Sequence, residues 1–161
     1  MIPVRLIDGL TDVIKEAVKD YVLTIEGQQE KKITVYPQHI PDENFSSDEY
    51  YPLIIVSAQK IDDDEGGKIN DSTVDIGLTF GVYGDDENAW RDLLNIMESV
   101  RQAVLKNRTI NRRHRLVLPL KWEVIEAQPY PFWFGYGTLK YTIAQPVEEQ
   151  TESYYKEEVT S

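Results

Sequence analysis

An acidic run in this sequence, Asp62-Asp63-Asp64-Glu65, has a composition that could bind a divalent cation through carboxylate oxygens. The run lacks the twelve-residue spacing of an EF-hand loop and its terminal glutamate. Adjacent carboxylates are also typical of a solvated turn or of a surface that faces a partner. The sequence favours these two interpretations over a cation site.

Residues for acid–base or nucleophilic catalysis are scarce. The chain has no Cys, which excludes disulfides, thiolate metal sites and a Cys nucleophile. It has two His, His39 and His114, and His114 lies among four Arg with no nucleophile beside it. Asp75 and Glu123 fall on polar positions of predicted strands, whereas a catalytic acid needs an apolar pocket that raises its pKa. We therefore predict a protein that is not an enzyme and binds no cofactor or metal.

An aromatic segment covers residues 129–136, with the sequence PYPFWFGY. Tyr130, Trp133 and Tyr136 could stack on a sugar or a peptide, because aromatic faces provide large contact areas. The same composition is typical of a loop that folds over the edge of a core, or of a subunit interface. The sequence leaves these interpretations open and places the ligand site behind the other two.

A basic segment lies between residues 106 and 115. It holds five cations and no acid; they are Lys106, Arg108, Arg112, Arg113 and Arg115. The whole chain carries a net charge of −11, so the residues outside this segment carry −16. A solvated basic loop is one interpretation. The other is a subunit contact in which the loop faces an acidic cluster of a neighbouring copy, either Asp62–Glu65 or Asp85–Glu87.

Such a contact joins two different patches of identical subunits, and contacts of this kind close into rings where the rotation allows. DNA contact by the basic loop is a weaker alternative. A chain of 161 residues with a net charge of −11 is a poor candidate for broad binding to nucleic acid or to anionic membranes. No signal peptide or apolar run of membrane-spanning length is visible, which predicts a cytoplasmic protein.

Two amphipathic helices are predicted to position these segments. Apolar residues at steps of three and four predict a helix over 3–24, with Gly27 as its C-terminal cap. A second helix is predicted over 89–106, following acidic N-cap residues. Its expected apolar face consists of Trp90, Leu93, Leu94, Met97, Val100 and Val104.

The remaining pattern predicts strands. A short strand is expected at 32–36, and residues 53–56 are continuously apolar, which is typical of a strand covered on both faces. Strict alternation over 72–83 predicts a strand that pairs with 51–61 as an antiparallel hairpin. Further strands are expected over 116–124, interrupted by Pro119, and over 136–145.

The predicted fold class is α+β, with a mainly antiparallel sheet of about five strands packed with two helices. Residues 1–146 are expected to form a single domain, because the length suits one core. Residues 147–161 hold five Glu and one Lys without apolar periodicity, and are expected to form a flexible acidic tail.

The order of these elements and several local motifs resemble the tail terminator, or tail completion, proteins of long-tailed bacteriophages and prophages with non-contractile tails. The resemblance covers about residues 50–146. The motifs that carry it are YPLIIV at 51–56, VDIG at 74–77, GVYGDD at 81–86, WRDLLNIM at 90–97, IN at 110–111, PLKW at 119–122 and QPYPFWFG at 128–135.

The resemblance implies a structural virion protein. Such proteins form a ring, typically a hexamer, at the head-proximal end of the tail tube, where the ring stops tube polymerisation and provides the surface that joins the head. The implied partners are other copies of the chain, the tail tube protein and the head–tail connector. The implied location is the bacterial host cytoplasm during assembly and the virion afterwards.

Within this resemblance, a set of interface residues is predicted from the charge pattern and the aromatic segment. They are Arg108, Arg112, Arg113, Arg115, Asp62, Asp63, Asp64, Tyr130 and Trp133. Another neck or joining component, or a relative of the tail tube, is the alternative structural role. A carbohydrate- or peptide-binding module is the alternative of another class.

Overall fold

The computed structural model describes residues 2–40, 47–63 and 71–146. Over these residues two α-helices, seven strands and one short 3-10 helix at Asp48–Tyr50 are formed. In chain order, the helices and strands are α1 (Ile2–Val18), β1 (Thr34–Pro37), β2 (Leu53–Asp62), β3 (Asp71–Tyr83), α2 (Asn88–Lys106), β4 (Thr109–Ile110), β5 (His114–Arg115), β6 (Lys121–Val124) and β7 (Phe132–Ala144).

Five of the strands form one mixed sheet, in the order β1-β2-β3-β7-β6. β1 runs parallel to β2, and every other pair in this sheet is antiparallel. β3 and β7 pair along their whole lengths, from Asp71 opposite Ala144 to Tyr83 opposite Phe132. The predicted α+β class, with a mainly antiparallel five-stranded sheet and two helices, is confirmed.

The core lies on one face of this sheet. The alternating apolar residues of β3, from Val74 to Val82, are buried there, as the pattern over 72–83 predicts. Leu6, Leu10 and Ile14 of α1 pack in the same core cluster. Met97 of α2 meets the sheet at Gly135, where an added Cβ would lie 2.4 Å from its Sδ. Glycine at this position therefore lets α2 approach β7 closely.

The opposite face of the sheet is covered differently. Leu53 of β2 is buried beside Tyr51 on this face, where both side chains approach Gly81. Ile55 is only half-buried. Residues 53–56 are therefore apolar on both sides, as expected, but aromatic side chains replace a helix as the cover on one of them. We call this the open face.

The first helix is shorter than predicted. α1 ends at Val18, where the Tyr21 N–H donates to the Val18 carbonyl, and residues beyond it leave the helix. The prediction of a helix through residue 24 was wrong because tertiary hydrogen bonds hold Thr24 and Ile25 in place. Gly27, with φ of 80°, lies in a separate turn and does not cap α1.

The buried face of α2 also differs from the prediction. Trp90 and Leu94 are 41% and 43% exposed, whereas Ile96 and Asp92 are buried. Leu93, Met97, Val100 and Val104 face the core as expected. The prediction was wrong in placing Trp90 and Leu94 in the core and in leaving out Ile96, because the buried face is centred on Leu93 and includes the Asp92 carboxylate.

The strands after α2 have different bounds from those expected. The basic segment forms the β4–β5 hairpin, and of the predicted strand at 116–124 only Lys121–Val124 joins the sheet as a strand. Leu116 forms a single bridge to Tyr141. β7 begins at Phe132, four residues earlier than predicted, so part of the aromatic segment belongs to the sheet. Residues 147–161, where the acidic tail is expected, lie outside the described residues.

Candidate interaction surfaces

The five cations predicted at 106–115 gather at one end of the molecule, in a surface that we call the basic hairpin. It consists of Lys106, Arg108, Arg112, Arg113 and Arg115, all exposed. β4 and β5 pair through Thr109 opposite Arg115 and Ile110 opposite His114. Asn111 and Arg112 have φ of 54° and 60°, and the Arg113 N–H donates to the Ile110 carbonyl at 3.1 Å. This tight turn presents the cations to solvent.

The basic hairpin is held rigidly against the rest of the fold. Ile110 is buried, and Asn111 Nδ2 donates to the Arg5 carbonyl of α1 at 2.9 Å. Gly9 permits this contact, because a Cβ there would lie 2.7 Å from the Ile110 side chain. The Arg115 N–H donates to Thr142 Oγ1 of β7 at 3.0 Å.

His114 helps to anchor the basic hairpin. The side chain is 4% exposed, and its ring Nδ1 donates to the Thr142 carbonyl at 3.2 Å. This contact gives His114 a structural role, which is to hold the basic hairpin against β7.

No carboxylate neutralises the basic hairpin in the described part of the chain. The four ion pairs among these residues are Lys19–Glu16, Lys60–Asp62, Arg101–Glu98 and Lys140–Asp75. Arg108 Nε donates to the Leu105 carbonyl at 3.0 Å, which orients that side chain without cancelling its charge. Among the residues that the structure describes, the hairpin is therefore a surface of unpaired positive charge.

Two of the acidic residues predicted as its partners lie at the same end of the molecule. Asp62 faces Thr73 across β2–β3, and Thr73 faces Thr142, the residue that contacts Arg115. Asp62 lies 3.5 Å from Lys60, and Asp63 accepts a hydrogen bond from Ser72 Oγ. Both carboxylates are therefore already engaged within the chain. Asp64 lies outside the described residues.

The second acidic cluster lies at the other end of α2. We call it the acidic corner and define it as Glu26, Asp85 and Glu87, three exposed residues. Asp86 joins the two loops that carry them: its Oδ2 accepts from the Glu26 N–H and its Oδ1 from the Asn88 N–H, both at 3.0 Å. None of the three corner carboxylates forms an ion pair with a described residue.

The aromatic segment splits between two surfaces. Trp133 Nε1 donates to the Gly84 carbonyl at 2.9 Å, and Tyr130 Oη lies 3.4 Å from the Asp85 carbonyl oxygen. Tyr130 is 64% exposed, so it extends the acidic corner with an aromatic ring. Trp133 pairs with Val82 and so lies on the core face of the sheet. Tyr136 is three residues further along β7, so its side chain points to the opposite, open face. The three aromatic residues therefore do not form one stacking site.

The open face carries a cleft that the sequence did not reveal. Its volume is about 540 Å³. The lining residues are Gln38, His39, Ile40, Tyr51, Leu53, Ile55, Ser57, Thr79, Phe134 and Tyr136. Tyr51 packs edge-on against Phe132 and Phe134, with ring centroids 5.0 and 5.9 Å apart. These residues come from four separated stretches of sequence, so no single motif could indicate the cleft.

Asp92 is a further residue whose role the sequence did not predict. Its carboxylate is fully buried and accepts hydrogen bonds from Tyr21 Oη at 2.8 Å, from Thr24 N–H and Oγ1, and from Ile25 N–H. These contacts fix the segment after α1 against α2 and so place Glu26 beside Asp86. In the sequence, the only indication that Asp92 is buried was its position beside Leu93 on the apolar face of α2.

Three tyrosines make the fold sensitive to alkaline pH, and burial raises the pKa of one of them, Tyr141, well above its usual range. Burial, followed by the hydrogen bond to Asp92, raises the pKa of Tyr21 from 10.0 to about 12. Burial, followed by the charge of nearby Tyr136, raises the pKa of Tyr51 from 10.0 to about 12. Because the folded chain holds these protons more tightly than the unfolded chain, this contribution to stability is complete below pH 10 and is lost as pH rises towards 12.

We therefore expect the urea midpoint of unfolding to fall steadily between pH 10 and pH 12. Tyr51→Phe removes one of the three groups and should make this fall shallower without changing its direction. Equal slopes for the wild type and Tyr51→Phe would show that Tyr51 titrates normally in the folded protein.

Residues that could hold a metal ion do not gather in the described structure. Across residues 2–40, 47–63 and 71–146, no three His, Asp or Glu side chains come close enough together to hold a metal ion. Glu65 and Asp64 of the acidic run lie outside these ranges. None of the helices described is both long and apolar enough to cross a membrane.

No protein-family model matches the chain, and no curated protein matches it significantly in sequence.

Proposed function

We propose that this chain is a structural virion protein that assembles into a ring, typically a hexamer, as a tail terminator at the head-proximal end of a phage tail tube. The ring stops tube polymerisation and provides the surface for the head–tail connector. The protein acts first in the bacterial host cytoplasm and then in the virion. The motif resemblance over residues 50–146 supports this role.

The observation that carries the proposal is the basic hairpin on an acidic chain. A rigid, exposed group of five cations without a carboxylate partner in the described residues, on a chain with a net charge of −11, is suited to bind an acidic surface. Identical copies of the chain supply such a surface. The tail tube protein is the second proposed partner.

Self-assembly is tested by native mass spectrometry and light scattering of the purified chain across protein and salt concentrations. We expect a closed oligomer at low salt that dissociates as salt rises, because exposed charges are screened within about 10 Å at 0.1 M ionic strength. A strict monomer at every concentration, both alone and with tail tubes present, would contradict a ring-forming protein.

A second candidate function is a small carbohydrate- or peptide-binding module, which the aromatic cleft of the open face favours. Its walls contain Tyr51, Phe134 and Tyr136 but no Trp, so nuclear magnetic resonance of the cleft amides is the suitable readout. Shifts of Thr79 and Tyr136 with one glycan or peptide of a panel would support this function. Unchanged spectra across the panel would count against it.

A further inference from the structure

We infer that the acidic corner of one copy of this chain binds the basic hairpin of the next copy, in a head-to-tail contact. The inference rests on the proposed self-assembly and names the two surfaces that meet. It also chooses between the two acidic clusters that the sequence left open as partners of the hairpin.

The two surfaces lie at opposite ends of the molecule. α2 begins at Asn88, directly after Asp85 and Glu87, and ends at Lys106, the first cation of the basic hairpin. A helix of 19 residues spans about 28 Å, because each residue adds 1.5 Å. A single rigid helix therefore separates negative charge from positive charge across the molecule.

Uncompensated charge is what both surfaces have in common. The corner carboxylates of Glu26, Asp85 and Glu87 have no ion pair with described residues, and neither do the hairpin cations. Asp62 and Asp63, by contrast, are engaged with Lys60 and Ser72. The corner is thus the better acceptor for a neighbour's arginines.

The chemistry of the corner also fits guanidinium groups. Carboxylates bind arginine through paired, charge-assisted hydrogen bonds, and aromatic faces attract the planar cation. Tyr130 exposes its ring beside Asp85. Arginines of a neighbour would meet both kinds of group at this corner.

The positions of the two surfaces favour a head-to-tail ring over a two-fold dimer. Asp62 and Asp63 share an end with the basic hairpin, so a contact through them would join two copies by the same end and favour a two-fold dimer. The corner and the hairpin are different patches at opposite ends. Their contact can therefore repeat from copy to copy and close into a ring.

The test is a charge swap, followed by native mass spectrometry at low salt. Arg113→Glu with Arg115→Glu, and separately Asp85→Lys with Glu87→Lys, should each weaken self-association by at least about tenfold. All four substitutions in one chain should restore it, since the two surfaces are again complementary. A mixture of the two double variants should give complexes with equal numbers of each chain.

Matched controls keep the charge change but move it elsewhere. Lys15→Glu with Lys32→Glu, and Asp12→Lys with Asp20→Lys, change exposed residues outside both surfaces and should assemble like the wild type. Thermal melting of every variant establishes that it is folded, and the restored assembly of the fourfold variant gives a second check.

Two results would overturn this inference and still agree with the proposal that the chain assembles with itself. One is normal assembly of the Asp85→Lys, Glu87→Lys variant. The other is loss of assembly when Glu148, Glu149, Glu152, Glu157 and Glu158 are changed to Gln, with no effect of the corner substitutions, which would make residues 147–161 the occupant of the hairpin. A wild-type chain that never assembles would contradict the proposed function itself.

Discussion

Asp92→Asn is expected to lower the free energy of unfolding by about 3 kcal/mol, one of the largest effects of any conservative change in this chain. The carboxylate is fully buried and faces four donor groups, from Tyr21, Thr24 and Ile25. An Asn amide has the same shape but turns an NH₂ group towards those donors. Removal of the charge therefore leaves buried donors without an acceptor.

Urea denaturation measures this loss directly, and Asp12→Asn is the matched control. Asp12 is exposed on α1, so its substitution should change stability by less than about 0.5 kcal/mol. Similar stabilities for Asp92→Asn and Asp12→Asn would show that Asp92 does not hold the segment after α1. The acidic corner should also change its chemical shifts in Asp92→Asn, because this segment positions Glu26.

Phe80→Ala is expected to destabilise the fold by about 3–5 kcal/mol, through lost burial and the cavity that remains. Phe80 is fully buried at the middle of the central strand, on the face that packs against the helices. Its ring lies 6.2 Å from that of Trp122, so the cavity would also loosen the edge strand β6.

The matched control for this substitution is Tyr136→Ala on the open face of the same sheet. Tyr136 is 39% exposed and lies diagonally across β3–β7 from Phe80. Its loss should cost clearly less than that of Phe80 in the same urea measurement, because no α-helix of the described chain packs over that face. Equal losses would contradict a core confined to one face of the sheet.

The sheet was largely predictable because its strands follow simple periodicity. Alternation over 72–83 identified β3 and its hairpin with β2, since a strand with one buried face shows that pattern directly. Boundaries were harder where tertiary contacts override local preference. The segment after Val18 has helical periodicity, yet its N–H groups bond to a carboxylate 68 positions away.

The candidate surfaces were predictable in composition but not in arrangement. The basic segment was visible as charge, whereas its fold as a tight hairpin pinned by Asn111 was not. Sequence could not show that Asp62 lies at the hairpin's own end and Asp85 at the far end. It also could not assemble the cleft of the open face, whose walls come from residues far apart in the chain.

The length of tail tubes assembled without this chain tests the central proposal most directly. Electron microscopy should show tubes longer than those of the parent virus or prophage, with heads unattached, because nothing stops polymerisation at the head-proximal end. Restoring the wild-type chain should return tubes to their normal length. Finished tails of normal length that merely fail to join heads would contradict a terminator and indicate another neck component.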